Sequence, residues 1–399
     1  MKKILFILAI AGLAFSCTKS DDEGLRSSDE SKYSGLTGDS SIGTGGSEGP
    51  GDPGGQGGDP IQSGQITAGE WNDLANWDFW NNLGQDEAYR NMPLYWSFTI
   101  DNRISVNLQN SANENLIDVS VELLTASDQV LWTAKTNNFG NAELFPGLLN
   151  NSDTPAENLK IKINGQIFTG ILPYSQGINN LRTELSQAQN KKADIAFVVD
   201  ATGSMGDELE YLKVELIDVI GRVKATNPEA TINLGSVFYR DTDDEYVTRI
   251  SNFSTDINQT IDFIKNQSAN GGGDFPEAVH TALSKAVKDL QWSSNATSRI
   301  IFLVLDAPPH YEPQIVAEIH SQVVLAASKG IKIIPVVASG IDKETEFLMR
   351  FLSIATNGTY VFITNDSGIG NEHLVPTVGE YEVELLNSLI ERLINKYLE

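Results

Sequence analysis

Four near-continuous apolar runs mark the C-terminal half of the chain: "DIAFVVD" (194–200), "TINLGSVFY" (231–239), "RIIFLVLD" (299–306) and "IKIIPVVA" (331–338). Runs with no polar alternation belong to strands covered on both faces, as in parallel sheets. Amphipathic stretches lie between them. "GDELEYLKVELIDVIGRVK" (206–224) puts Leu209, Leu212, Leu216, Val219 and Ile220 on one helical face, and "PEAVHTALSKAVKDL" and "PQIVAEIHSQVVLAASKG" repeat the pattern. Strand alternating with helix from about Ala193 to the C-terminus predicts a doubly wound, Rossmann-like α/β fold with right-handed crossovers.

Residues 103 to about 185 have a different period. "RISVNL", "DVSVELL", "QVLWTAKT", "NAELF", "LKIKI" and "QIFTGIL" alternate, are rich in β-branched residues, and are separated by polar turns about every ten residues. That spacing predicts a small antiparallel sandwich. Ahead of it, 66–100 holds four tryptophans: Trp71, Trp77, Trp80 and Trp96. They suit either a sugar-stacking platform or the cover of a neighbouring core, and core packing is the commoner use of aromatics. From Thr18 to about Gln65 the composition falls to Gly, Ser, Asp and Pro, with no apolar period to build a core. The expected organisation is therefore 1–16 signal, 17–65 tether, 66–185 Trp-rich segment plus sandwich, and 193–399 α/β domain.

Charge and cysteine usage narrow the setting. The 399 residues carry 28 basic and 53 acidic side chains, a net charge of -25. That balance repels phosphate backbones and argues against nucleic-acid partners. Two lysines, an apolar core and small residues in "MKKILFILAIAGLAFS" have the layout of a bacterial secretory signal. The chain's single cysteine, Cys17, follows directly, so no intrachain disulfide can form. "LAFSC" resembles a relaxed lipobox, with Ala14 where leucine is commonest. "TKSDDE" resembles the acidic export tag of Bacteroidetes surface lipoproteins. These resemblances imply acylation at Cys17, with anchoring to the cell envelope, at the outer membrane and on its surface.

Ligands of doubly wound sheets gather beyond the carboxyl ends of the strands. Three marked segments fall there. Asp200 ends the first apolar run and leads into "ATGSM", Asp306 ends the third, and "GGGDFPEAV" (271–279) opens a helix between them. Loops delivering hydroxyl and carboxylate oxygens suit a hard cation such as Mg²⁺, which keeps part of its water shell.

"VVDATGSM" resembles the first metal-site segment of a von Willebrand factor A domain, which begins Asp-x-Ser-x-Ser. The resemblance implies that Asp200, Thr202 and Ser204 bind a divalent ion, with Thr202 in place of a serine. It also implies that Asp306 is the distal aspartate, followed here by Ala307 where glycine is usual. Mg²⁺ is the ion expected, with Mn²⁺ or Ca²⁺ also compatible. The family's third loop carries a threonine where this chain has Gly273 and Asp274. Asp274 is either a replacement ligand or the N-cap of a capping box closed by Glu277, which needs no metal. "ATNGTYVFITNDSGIG" (355–370) further resembles bacterial and hemicentin-like members. "DVSVELLTASDQVLWTAKTNNFGNAELFPGL" resembles transthyretin-like, carboxypeptidase-regulatory domains, which are mostly spacers.

Other candidates carry less. The four histidines (His280, His310, His320, His373) form no close pair, although His310 lies near the proposed metal loop. Asp207 and Glu208 fit the first turn of a helix, where acids favour the dipole. "SGIG" and "GGGD" lack the lysine of a phosphate-binding loop, so no nucleotide is expected. "DTDDE" (241–245) lacks the spacing of a calcium loop and fits an exposed turn. The expected function is non-catalytic, metal-dependent adhesion to a protein that presents a carboxylate. The alternative is an envelope assembly module whose ion serves stability, and a metal-assisted hydrolase ranks third.

Overall fold

The apolar runs become the inner strands of one eight-stranded sheet. The structure, a computed structural model, describes residues 61–99, 102–149, 155–187 and 191–399. The signal segment, Cys17 and the expected tether up to residue 60 lie outside the described residues. In chain order the first elements are β1 (Thr67–Trp71), α1 (Trp77–Asn82), α2 (Met92–Tyr95), β2 (Ile104–Asn110), β3 (Ser120–Leu124), β4 (Val130–Lys135), β5 (Asn141–Leu144), β6 (Lys160–Ile163), β7 (Gln166–Phe168) and β8 (Asn179–Thr183). Then come β9 (Lys192–Asp200), α3 (Leu209–Thr226), β10 (Thr231–Tyr239), β11 (Thr248–Ser254), α4 (Ile257–Lys265), α5 (Val279–Ser284), β12 (Ser298–Leu305), α6 (Pro313–Lys329), β13 (Ile331–Val337), α7 (Lys343–Ala355), β14 (Tyr360–Ile363), β15 (Val383–Leu385) and α8 (Leu386–Leu398).

The large sheet runs β11-β10-β9-β12-β13-β14-β1-β15. Its centre, β10-β9-β12-β13-β14, is parallel, whereas β11, β1 and their neighbours pair antiparallel. Every residue of β12 and β13 is buried, as strands covered by helices on both faces require. The mixed sheet flanked by helices agrees with the α/β fold read from the sequence.

The boundary expected at residue 66 is corrected. β1 does not belong with the small sheets. It is inserted between β14 and β15, with Ala68 opposite Ile363 and Trp71 opposite Tyr360. Just before it, the backbone N–H groups of Gly64, Gln65 and Ile66 donate to the buried carboxylate of Glu215 on α3, at 2.8, 2.9 and 3.3 Å. A five-residue strand carries too little pattern to reveal partners at the other end of the chain.

Residues 104–183 form a three-stranded sheet, β5-β2-β8, and a four-stranded one, β4-β3-β6-β7. The wholly antiparallel arrangement expected is corrected too, because β2 and β8 run parallel. Their buried side chains join the core on one face of the large sheet. Across the junction the Arg299 guanidinium grips Asp118 through two bonds, at 2.7 and 3.0 Å, and Lys135 reaches the same carboxylate at 2.8 Å.

The four tryptophans are buried in this junction. Trp80 stacks on Phe347 of α7 at 5.0 Å, Phe98 stacks on Phe351 at 3.6 Å, and Trp77 meets Tyr174 edge-on. Beneath them lies a fully buried ion pair. Arg350 donates from Nε to Asp73 Oδ2 at 2.9 Å and from Nη2 to Asp73 Oδ1 at 2.5 Å. The tryptophan segment is a wedge between α7 and the small sheets.

Candidate metal centre

β9 and β12 are adjacent parallel strands, and the chain leaves them toward opposite sides of the sheet. Their carboxyl ends therefore flank a topological switch point, where α/β sheets form crevices. Asp200 is the last residue of β9, paired in register with Tyr239. Asp306 follows β12 directly. Both are buried.

The first loop turns tightly after Asp200. Thr202 donates to Asp200 Oδ1 from its backbone N at 2.9 Å and from Oγ1 at 2.6 Å, and its hydroxyl lies 3.1 Å from Ser204 Oγ. Gly203–Asp207 is a 3-10 turn, so α3 starts only at Leu209. This corrects the role expected for Glu208. It is the residue before α3 rather than in its first turn, and it is buried: it accepts from Ser339 N at 3.2 Å, and His373 Nε2 lies 2.9 Å from its Oε1.

The third loop also departs from expectation. α5 begins at Val279, its N-cap is Ala278, and no side chain caps it. Asp274 is exposed and four residues ahead of the N-cap, so the capping box does not form. Glu277 turns inward instead and is 2% exposed. Its backbone N donates to Pro308 O at 2.9 Å, which ties this loop to the one after Asp306. Gly271 and Gly272 make the fold of this loop possible. Both hold positive φ, 79° and 72°, and a Cβ would lie 2.1 Å from Asp244 at the first and 2.8 Å from Glu277 Oε1 at the second. Gly203 N donates to Gly271 O at 3.0 Å, which locks first loop to third.

"DTDDE" is a turn, but its acids are not simply solvated. Asp244 Oδ2 accepts from Gly272 N at 2.9 Å and from Asp241 N at 3.0 Å. Asp241 is buried, and its Oδ1 lies 2.6 Å from His310 Nε2. The sequence carried two separate signals for this supporting ring, the acidic run at 241–245 and the three-glycine run at 271–273, which only the fold brings together.

Asp200, Thr202, Ser204 and Asp306 are thus brought together, with Glu277 added and Asp274 left at the surface. Asp200 Oδ2, Asp306 Oδ1 and Glu277 Oε2 are buried and bond to nothing among the described residues. Burial pushes the Asp200 carboxyl up to about 6 against the bonds from Thr202. Burial and then Asp200 push Asp306 up to about 7, and hydrogen bonding to Ser204 opposes that rise. Burial, then Asp200, Asp241, Asp244 and Asp306, push Glu277 up to about 9. Buried carboxylates that destabilise one another need a cation or protons. Among the described residues no three His, Cys, Asp or Glu side chains converge closely enough to cage an ion by themselves. The donors present fit an ion that shares its shell among carboxylates, hydroxyls and water, as Mg²⁺ does.

Residues 194–369 match the von Willebrand factor A domain family. This part of the chain is a von Willebrand factor A domain. Over 119 residues the chain is 37% identical to an ariadne-like RING finger protein of Acanthamoeba polyphaga mimivirus and 32% identical to the alpha-protein kinase vwkA of Dictyostelium discoideum. These matches take in 30% and 29% of this chain but only 11% and 19% of those proteins. Among solved structures, BatB from Bacteroides thetaiotaomicron is 14% identical with a TM-score of 0.35, and covers 51% of this chain and 98% of its own. An aerotolerance-related membrane protein from Bacteroides fragilis is 14% identical with a TM-score of 0.32, and covers 52% and 98%. No helix among the described residues is long and apolar enough to cross a membrane.

Proposed function

We propose that the von Willebrand factor A domain binds one divalent cation, Mg²⁺ in the cell, through Asp200, Thr202, Ser204 and Asp306. The ion holds a carboxylate presented by a protein partner, and the partner is bound without being turned over. The chain is carried on the envelope surface by an acyl anchor at Cys17. The observation that carries the reading is the pair of buried, unpartnered oxygens, Asp200 Oδ2 and Asp306 Oδ1, at the switch point of the sheet. A von Willebrand factor A domain is an interaction module, which supports binding over catalysis.

Calorimetric titration of Mn²⁺ and Mg²⁺ into the full-length chain tests the site. Asp200→Ala should abolish binding, Thr202→Ser should preserve it, and Thr202→Val should weaken it. Retention of envelope proteins on the immobilised chain should need Mg²⁺ and be lost in EDTA. Equal retention in EDTA would leave the second reading, an assembly module in which the ion only stabilises the fold. Cys17→Ser should move the chain out of the membrane fraction, and an unchanged distribution would remove the anchor.

A further inference from the structure

Glu277 is the buried acid that neither the fold nor the motif accounts for. It caps no helix, and Oε2 has no partner among the described residues. Gly272 lies between it and the first loop: a Cβ there would be 2.8 Å from Glu277 Oε1 and 3.4 Å from Thr202 Cβ. A carboxylate buried without a partner costs several kcal/mol unless it meets a cation or a proton. The glycine that admits it is held at positive φ, so the loop is shaped to bring the carboxylate in.

We propose that Glu277, rather than Asp274, is the third-loop donor to the cation, holding one of the ion's waters while Asp200 and Asp306 face the ion. The inference rests on the cation site proposed above. It changes the charge of that site. Asp200 and Asp306 alone balance a divalent ion, whereas a third carboxylate brings the loaded centre to -1. The ion is then held more tightly, and a partner's carboxylate gains less from it than at a two-acid centre. The partner's remaining contacts must supply more of the affinity.

The experiment compares Glu277→Gln and Asp274→Asn with wild type in the full-length chain, using Mn²⁺ calorimetry and thermal melts in EDTA. Glutamine keeps the size and removes the charge. The expected result is a loss of about 10- to 100-fold in Mn²⁺ affinity for Glu277→Gln. Its metal-free melting temperature should be unchanged or higher, because glutamine fills the same space without an ionisable group to bury. Asp274→Asn should leave the affinity alone. Three results overturn the proposal: Glu277→Gln binding within twofold of wild type, a lower metal-free melting temperature for Glu277→Gln, which would assign Glu277 a structural role, or a loss confined to Asp274→Asn. If wild type itself binds no Mn²⁺, the cation site as a whole falls. If wild type binds, Asp200→Ala does not and Glu277→Gln does, only the role of Glu277 falls.

Discussion

Arg350→Met should be among the most damaging single changes outside the metal centre. Arg350 and Asp73 are both fully buried in side chain. Arg350 also donates from Nη1 to Thr377 O at 2.6 Å and passes 3.6 Å from Glu346. Removing it leaves the Asp73 carboxylate, among the described residues, with the Trp71 indole N–H at 3.0 Å, and leaves Glu346 to Tyr89, Lys343 and the Thr377 backbone N–H. Breaking a buried pair from one side costs about 3–5 kcal/mol, because the surviving charge stays desolvated. At roughly 2–4 °C per kcal/mol for a domain of this size, the melting temperature should fall by about 6–20 °C. Asp73→Leu combined with Arg350→Met removes both charges and should recover most of the loss. Burial already raises the Asp73 carboxyl in the wild type despite Arg350. Without the guanidinium its folded-state pKa rises further. A raised folded pKa means the folded chain holds the proton more readily, so the deficit should shrink as pH falls and grow as it rises. Circular dichroism melts of the four-member cycle at pH 5 and pH 8 give all of these quantities. A single variant within about 1 kcal/mol of wild type, or a double variant no better than the sum of its parts, would refute the reasoning.

Two further outcomes follow from the same seam and from the base of the sheet. A fragment beginning at Ala193 lacks β1, orphans Arg350 and leaves Glu215 without its three N–H donors, so it should not melt cooperatively; a sharp transition in calorimetry would show that the domain stands alone. Lys332 on β13 is buried, with Nζ 3.0 Å from Asn357 O, and burial, then Lys396, lowers its pKa to about 7. Its folded pKa lies below its unfolded one, so between about 7 and 10.5 the unfolded chain binds more protons and stability rises with pH. Lys332→Met removes that ionisation penalty together with the bond to Asn357 O, so its effect on stability should be most favourable near pH 7 and decline toward pH 10. A difference in urea midpoints that ignores pH would contradict it.

The parallel strands were legible because burial on both faces erases polar alternation, and β9, β10, β12 and β13 fall where the apolar runs do. The first loop was legible because Asp200, Thr202 and Ser204 are local in sequence. Glu277 was not, since "DFPE" before an apolar stretch reads equally as a capping box, and only the tertiary fold shows that the helix starts later. β1 escaped for a related reason: its pattern is short, and its partners are set by contacts that no local period encodes. The parallel pairing of β2 with β8 depends on how the chain returns across the sheet, which alternation alone leaves open.

The insertion of β1 also sets an order of events during synthesis. Thr67 and Thr364, whose hydroxyls meet at 2.8 Å, are 297 residues apart along the chain. The strand made first among those described thus waits for partners made nearly last, and the large sheet cannot close until β15 has emerged. Until α7 has emerged, Trp80 and Trp96 lack Phe347 and Glu344 to cover them. High contact order slows folding, and apolar surface held open meanwhile favours aggregation. The nascent chain should therefore depend on holding chaperones until β15 and α8 emerge, and a truncation that removes these two elements should aggregate rather than fold to a smaller domain.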